Sequence, residues 1–327
     1  MSENPATKNK SFETFRTVGL AIDPIHVGTG GARLGRVDNT IVRDPVTRVP
    51  KIPGSSLAGV QRAYAAMAYE DERDASTRST PYYPHCAGQG QSSAKEHCGE
   101  AICRVCSVFG RASFAGLAAF SDAHVVLFPV ATREGPTWVT SPSAMRVLDI
   151  SVAAGDDVVL REGTQPSALN LGWLLLPATP LVGKALQEVK KLQGFSIPDV
   201  IRSAVVVVSD KLFGHIVNSN LEVRTSVAID PSTGAAEDGA LFTYEALPRG
   251  TVLAWDVTCR DPRHFGRNGT AANTGIQPVH DVVKRAHPFL EALGIGGMGT
   301  RGMGRLRVLS PVDAAQPLQT SEAGVSR

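Results

Sequence analysis

The sequence predicts an α+β protein, and three observations predict it. Strand-like and helix-like runs alternate irregularly along the 327 residues, not in the regular repeat of a doubly wound sheet. Turn signals such as Asp230-Pro-Ser-Thr-Gly join neighbouring strand-like runs, which implies antiparallel pairing. No linker-like break divides the chain. Residues 13–311 therefore read as one body of ferredoxin-like (RRM-like) character, with 312–327 as a disordered tail.

Taken in order, residues 13–22 carry Phe15, Val18, Leu20 and Ile22 and read as a first strand. A glycine-rich turn follows His26, then a loop bearing Asp38. Leu57, Val60, Tyr64 and Met67 recur at helical spacing, so a helix spans Ser55 to about Tyr69, with Gly54-Ser55 as a capping-type start. Leu117–Phe120, His124–Val130 and Thr137–Thr140 predict strands, and Pro142 opens a short helix through Leu148. Residues 150–180 read as irregular, being interrupted by glycines and prolines. Leu181–Leu192 predicts a helix ended by Gly194, and the branched run Val205–Val208 a buried strand. Leu221–Ile229 and Ala240–Tyr244 are the arms of a long hairpin. Thr251–Thr258 is a strand, and 260–278 a polar, mobile stretch. Val279–Leu293 is a helix bent by Pro288, and a glycine loop then feeds the last strand, Arg305–Leu309.

Composition bounds function mainly by exclusion. Hydrophobic content of 43% and charged content of 20% are those of a globular chain. No apolar run approaches the ~20 residues that span a bilayer, and residues 1–12 contain no hydrophobic signal core, so a cytoplasmic location is expected. A net charge of +2 does not announce a nucleic-acid binder. Such a surface would have to come from local clusters, for which Arg33/Arg36/Arg43/Arg48/Lys51 and Arg301/Arg305/Arg307 are candidates or simply solvated faces.

Four of the five cysteines, Cys86, Cys98, Cys103 and Cys106, fall in a polar insert, residues 70–110, with little apolar periodicity of its own. Four thiols ending in C-x-x-C suit a tetrahedral structural zinc site, with His85 and His97 as substitute ligands. Cys259 sits in an apolar strand and reads as core.

Two glycine-bearing stretches carry the binding signal. Lys51-Ile-Pro-Gly-Ser-Ser enters the first helix, whose leading N–H groups and dipole can hold a phosphate, or simply begin an ordinary helix. Gly297-Met-Gly-Thr-Arg-Gly302 matches G-x-G-x-x-G, but a helix precedes it and a strand follows, the reverse of the dinucleotide fingerprint. What remains is a loop that lets backbone approach a ligand, with Arg301 among the glycines. Walker A, G-x-S-x-G and H-E-x-x-H motifs are absent. Asp38, a lone acid among arginines, suits a metal or a ribose hydroxyl, or else a salt bridge to Arg36 or Arg43. His26 is a candidate acid or base or a turn-capping histidine, and Glu222 a second acid or a surface charge.

As an ordered set, His26-Val-Gly-Thr-Gly, Gly35-Arg-Val-Asp38, Pro50-Lys-Ile-Pro-Gly-Ser-Ser-Leu and the 294–304 glycine loop resemble the RAMP superfamily. More closely, the chain looks like the multi-copy backbone subunit of type III CRISPR effector complexes. Gly116-Leu-Ala-Ala-Phe-Ser-Asp, Thr137-Trp-Val-Thr-Ser-Pro and Val206-Val-Val-Ser-Asp resemble the type III-B (Cmr) member. The likeness implies a ferredoxin-like palm with a projecting thumb hairpin within 214–245. It implies partners: a CRISPR guide RNA, single-stranded target RNA, further copies in a filament and other effector subunits. It further implies that Asp38 cleaves target RNA at regular intervals with Mg or Mn, to which the reading of the residues adds His26 and Glu222 as candidate helpers. The guide would be gripped by Arg43, Lys51, Gly54, Ser55, Ser56, Arg62, Gly296, Gly297, Thr300 and Arg301. The family usually has Lys or Arg where Ala58 stands, and the cysteine insert resembles backbone subunits of other type III branches. A non-catalytic filament subunit served by a separate nuclease is the alternative.

Overall fold

A computed structural model of the chain describes residues 10–30, 37–88, 98, 100, 102–111, 115–155, 158–162, 168–237, 241–263 and 275–309. Arg33, Arg36, His97, most of the 260–278 stretch and the 312–327 tail lie outside the described residues.

The chain begins with β1 (Phe12–Ala21), then β2 (Lys51–Ile52) and α1 (Gly54–Asp71). After α2 (Arg104–Phe109) come β3 (Ala118–Phe120), β4 (Ala123–Thr132), β5 (Gly135–Thr140) and α3 (Pro142–Arg146). β6 (Val159–Arg161), β7 (Ala168–Leu171), β8 (Leu174–Pro180), α4 (Gly183–Lys190), α5 (Asp199–Arg202) and β9 (Val205–Val207) follow. The last part holds α6 (Asp210–Ser219), β10 (Glu222–Ser226), β11 (Phe242–Ala246), β12 (Val252–Arg260), α7 (Ile276–Lys284), α8 (His287–Ala292) and β13 (Leu306–Leu309).

Among the described residues one large sheet runs β13-β1-β12-β4-β5-β9-β6-β8-β7, with β2 paired to β4 and β3 to β12. It is mostly antiparallel, β5·β9 and β6·β8 being parallel. β1 lies between β12 and β13, with Val18 opposite both Ala254 and Leu309. Successive side chains on a strand point to opposite faces, and here both faces are buried. Leu253, Trp255, Val257 and Cys259 of β12 join one core with side chains of α1, α2, α6, α7 and α8. Val252 and Ala254 join a second core with Met145, Val189 and Ile201 of α3, α4 and α5. Burial on both sides explains why Val205, Val206 and Val207 are all apolar. Cys259 is fully buried, as its apolar strand predicts, and burial pushes its thiol up to about 12.

Three elements differ from the sequence reading. The stretch 150–180 is not irregular throughout, because it contains β6, β7 and β8. β6 and β7 are only three and four residues long, and β8 opens with three successive leucines of which Leu175 is 70% exposed, so no alternation announces it. Residues 214–219, expected within the hairpin, belong to α6, where Ser209 accepts from the Leu212 N–H at 3.4 Å. The first arm of the hairpin is shorter than expected, Glu222–Ser226, and the second is shifted to Phe242–Ala246. The helix expected over 279–293 is two helices, with Pro288 in the first turn of α8.

The start of α1 also departs from local capping. Pro53 precedes it and gives no side-chain cap. Asp122, from the β3–β4 turn, accepts the Gly54 N–H at 2.8 Å instead. That turn lies so close that a Cβ on Gly54 would meet the Phe120 carbonyl oxygen at 2.5 Å. Gly59, on the exposed side of the same helix, has open space where its Cβ would be. The same substitution should therefore have opposite signs at the two sites. Gly59→Ala raises stability by about 0.5–1 kcal/mol, whereas Gly54→Ala lowers it by about 1–3 kcal/mol, both read from denaturant midpoints.

Candidate functional site

β10 and β11 form a separate two-stranded sheet, with Thr225 opposite Thr243 and Glu222 opposite Ala246. The far edge of β11 receives the Asp38 loop. Asn39 donates to the Thr243 carbonyl at 3.0 Å, and the Glu245 N–H donates back to the Asn39 carbonyl at 3.0 Å. This pairing sets Asp38 beside Thr243. One oxygen of its carboxylate accepts from the Thr243 N–H at 2.7 Å and from the Thr243 hydroxyl at 2.9 Å. The bond from the Thr243 backbone leads the causes that hold the Asp38 carboxyl below its ordinary range. The side chain is exposed and ionised at neutral pH.

The salt bridge to Arg43 weighed from sequence does not form. Arg43 donates to Glu245 at 2.9 Å, Asn218 at 2.8 Å and the Ile41 carbonyl at 3.0 Å. His26 is buried, and its Nδ1 lies 2.6 Å from the Glu245 carbonyl oxygen. A carbonyl only accepts, so Nδ1 is the donor in this contact. Glu222 does not join Asp38. It pairs with Arg224 at 2.6 Å on β10, on the opposite side of β11 and roughly 10 Å further along the strand.

The glycine loop docks on this same base. Gly297 donates to the His26 carbonyl at 2.8 Å, and Gly296 adopts φ of +89° where a Cβ would lie 2.3 Å from that oxygen. Arg301 extends over Phe242, its guanidinium carbon 5.6 Å from the ring centroid. Met303 packs with Tyr244 and Ala246. The inner edge of the loop is thus pinned, while Gly296, Gly297, Thr300 and Arg301 are exposed.

The entry to α1 is organised differently. Lys51 donates to Asp122 at 2.6 Å and lies 3.8 Å from Asp44. The hydrogen bond to Asp122 leads the causes that raise its pKa. Asp122 thus fills the anion position at the helix start with a carboxylate of the protein itself. Ser55 and Ser56 make no side-chain hydrogen bond among the described residues. The glycine loop reaches α1 further on, where the Tyr64 hydroxyl donates to the Gly294 carbonyl at 2.6 Å, about 15 Å along the axis from Gly54. Arg62 turns away from both stretches and donates to the Cys86 carbonyl at 2.7 Å.

Cys86, Cys98, Cys103 and Cys106 are buried, their sulfur atoms all within 4.8 Å of one another. Cys86 and Cys103 approach to 3.6 Å, Cys98 and Cys106 to 4.0 Å. Cys103 also accepts from the Cys106 N–H at 3.5 Å, which places both at the start of α2. Their hydrogen bonds to one another split the thiols: contact with Cys103 leads the causes that lower Cys98 and raise Cys86. The set could hold a metal ion. Among the described residues His85 is not part of it, and its Nδ1 is buried with no hydrogen-bond partner among them.

The sequence reading missed the roles of Thr243, Glu245 and Asp122. Each acts through a partner distant in the chain, and although Asp122 closes the Gly116-Leu-Ala-Ala-Phe-Ser-Asp stretch, nothing local shows what it bonds.

Comparison with known proteins follows the same lines. Residues 20–307 match the RAMP superfamily. The CRISPR system Cmr endoribonuclease Cmr4 of Pyrococcus furiosus is 24% identical over 311 residues, covering 89% of this chain and 94% of that protein. The Cms endoribonuclease Csm3 of Enterococcus italicus is 46% identical over 59 residues, 17% of this chain and 28% of that one. Among solved structures, a Cmr4 crystal structure superposes with TM-score 0.59 at 19% identity, covering 92% of this chain and all (100%) of that one. A chain of the type III-B Cmr-beta complex bound to cognate target RNA gives 0.58 at 16% identity, covering 91% and 96%. The family match runs from the end of β1 into β13 and includes Asp38, the glycine loop and the thiols, and on it the chain belongs to the RAMP superfamily.

Proposed function

We propose that this chain is the guide-RNA-binding backbone subunit of a type III-B CRISPR interference complex, assembled with copies of itself and other subunits, and that it cleaves target RNA. Its likeness to Cmr4 over nearly the full length of both chains supports the class. The strand order β13-β1-β12-β4, with α1 and α7 between strands in the chain, supports a ferredoxin-like palm. β10 and β11 are then the base of a thumb hairpin within 214–245, and 70–110 is an insert in the palm.

The observation that carries the activity is the Asp38 carboxylate, exposed, ionised and fixed by Thr243. A carboxylate held below its ordinary range is a weak base but a well-oriented acceptor. Asp38 accepts the hydrogen bond of a ribose 2′-hydroxyl and aims its oxygen at the adjacent phosphorus. As the 2′-hydroxyl proton passes through Asp38 to solvent, the new bond joins the 2′-oxygen to phosphorus; the bond to the 5′-oxygen breaks and that oxygen takes a proton from water, leaving a cyclic phosphate and a 5′-hydroxyl. No group of three or more His, Cys, Asp or Glu donors surrounds Asp38 among the described residues. Asp38 is the residue that would hold Mg or Mn there. His26 is a positioning residue that ties the glycine loop to β11. Exposed Gly296, Gly297, Thr300 and Arg301, with Ser55 and Ser56, are free to meet guide phosphates. Arg43, Lys51 and Arg62 are already bonded within the protein and shape the surface.

Asp38→Asn in the assembled complex should leave target-RNA affinity within about twofold and lower cleavage by at least about a hundredfold. Denaturing gels read the cuts, and undiminished regular cutting would assign cleavage to another residue or subunit. Because Asp38 stays ionised well below neutrality, the cleavage rate should show no Asp38 limb between about pH 5 and 8.

We read the thiol cluster as a structural zinc site. Zinc–sulfur bonds of about 2.3 Å place tetrahedral sulfurs about 3.8 Å apart, and the 3.6 and 4.0 Å separations bracket that value. Elemental analysis should find about one zinc per chain. Cys103→Ser with Cys106→Ser should abolish it and open residues 70–110 to proteolysis; retained zinc would place the metal elsewhere.

A further inference from the structure

The cluster has a cation beside it. A terminal nitrogen of Arg78 lies 3.8 Å from the Cys103 sulfur and 3.9 Å from the Cys86 sulfur, the two thiols that approach each other most closely. Four thiolates around a divalent ion leave a double negative charge in a buried site, which is costly without a compensating group. Arg78 is placed to compensate it. It ends a turn that Asp74 closes by accepting from the Ser76 N–H at 2.8 Å and the Ser76 hydroxyl at 2.7 Å. Arg73 holds that turn by donating to the Arg78 carbonyl at 3.0 Å, and is itself fixed by Glu70 at 2.7 Å. Glu70 also accepts the Tyr82 N–H at 2.6 Å, and the Tyr82 ring lies 3.9 Å below the Arg78 guanidinium carbon. The end of α1 thereby fixes both the cation and the ring that supports it.

We infer that Arg78 is a positioning residue for the metal centre, offsetting the thiolate charge and orienting Cys86 and Cys103. The inference rests on the zinc reading of the four thiols. Its alternative is that Arg78 merely packs on Tyr82.

The experiment uses the full chain loaded with Zn²⁺ alone, and compares Arg78→Met, Arg78→Lys and Tyr82→Leu. Zinc is withdrawn by a competing chelator, and thiolate ligation is read separately from the charge-transfer absorption of the Co²⁺-substituted protein. Arg78→Met should weaken zinc binding about 10- to 100-fold and shift the cobalt spectrum, with far-ultraviolet dichroism unchanged. Arg78→Lys keeps the charge and should recover part of the loss. Tyr82→Leu keeps the guanidinium and should lose less than Arg78→Met. A chelator curve for Arg78→Met that overlays the parent, or one for Arg78→Lys that overlays Arg78→Met, overturns the inference while leaving the zinc site intact. So does a loss in Tyr82→Leu equal to that in Arg78→Met. A parent chain that takes up no zinc removes the zinc reading itself, and this inference with it.

Discussion

The candidate site hangs on one short strand. β11 presents Thr243 to Asp38, the Glu245 carboxylate to Arg43, the Glu245 carbonyl to His26, and Phe242 to Arg301. A two-stranded hairpin is marginal alone in water. Here the Asn39 segment adds a further edge to β11, and Met298 and Met303 cover its Phe242–Tyr244 side. The rigidity of Asp38 is therefore a property of the whole base. Its carboxylate is oriented only while the hairpin, the Asp38 loop and the glycine loop stay docked together.

Charge pairing sharpens what surface is left for a polyanion. Lys51 meets Asp122, Arg305 meets Asp23 and Arg307 meets Glu291. Of the Arg301/Arg305/Arg307 group, Arg301 is the member without a carboxylate partner among the described residues. The net charge of +2 is the balance of 33 Lys and Arg against 31 Asp and Glu, and these three pairs show cations engaged within the protein. Backbone N–H groups and one or two unpaired side chains carry more of the binding burden than composition suggests.

The glycines show how one residue type serves two purposes. Gly54 looked like part of an anion-binding helix start, yet its lack of a Cβ lets the Phe120–Ser121 turn pass against α1. Gly296 likewise makes room for the His26 carbonyl, but its outer side remains open to solvent. Close packing explains the first without a ligand. The second is compatible with both packing and binding.

By itself the sequence determined the elements whose signal is local. The first strand, the helix after Ser55, the branched run at Val205 and the gathering of four cysteines were legible because periodicity, branching and spacing act over a few residues. Asp38, His26 and the glycine loop were legible through an ordered set of short motifs. Only the tertiary structure decided what those residues touch. It gave Asp38 to Thr243 and not to Arg43, filled the start of α1 with Asp122, sent Arg62 to the insert and parted Glu222 from Asp38. It also assembled β6, β7 and β8 from a stretch with no pattern of its own. The physical reason is the same each time. Partners separated by as many as 205 residues are chosen by sheet register and close packing, and neither leaves a trace in the spacing of nearby residues.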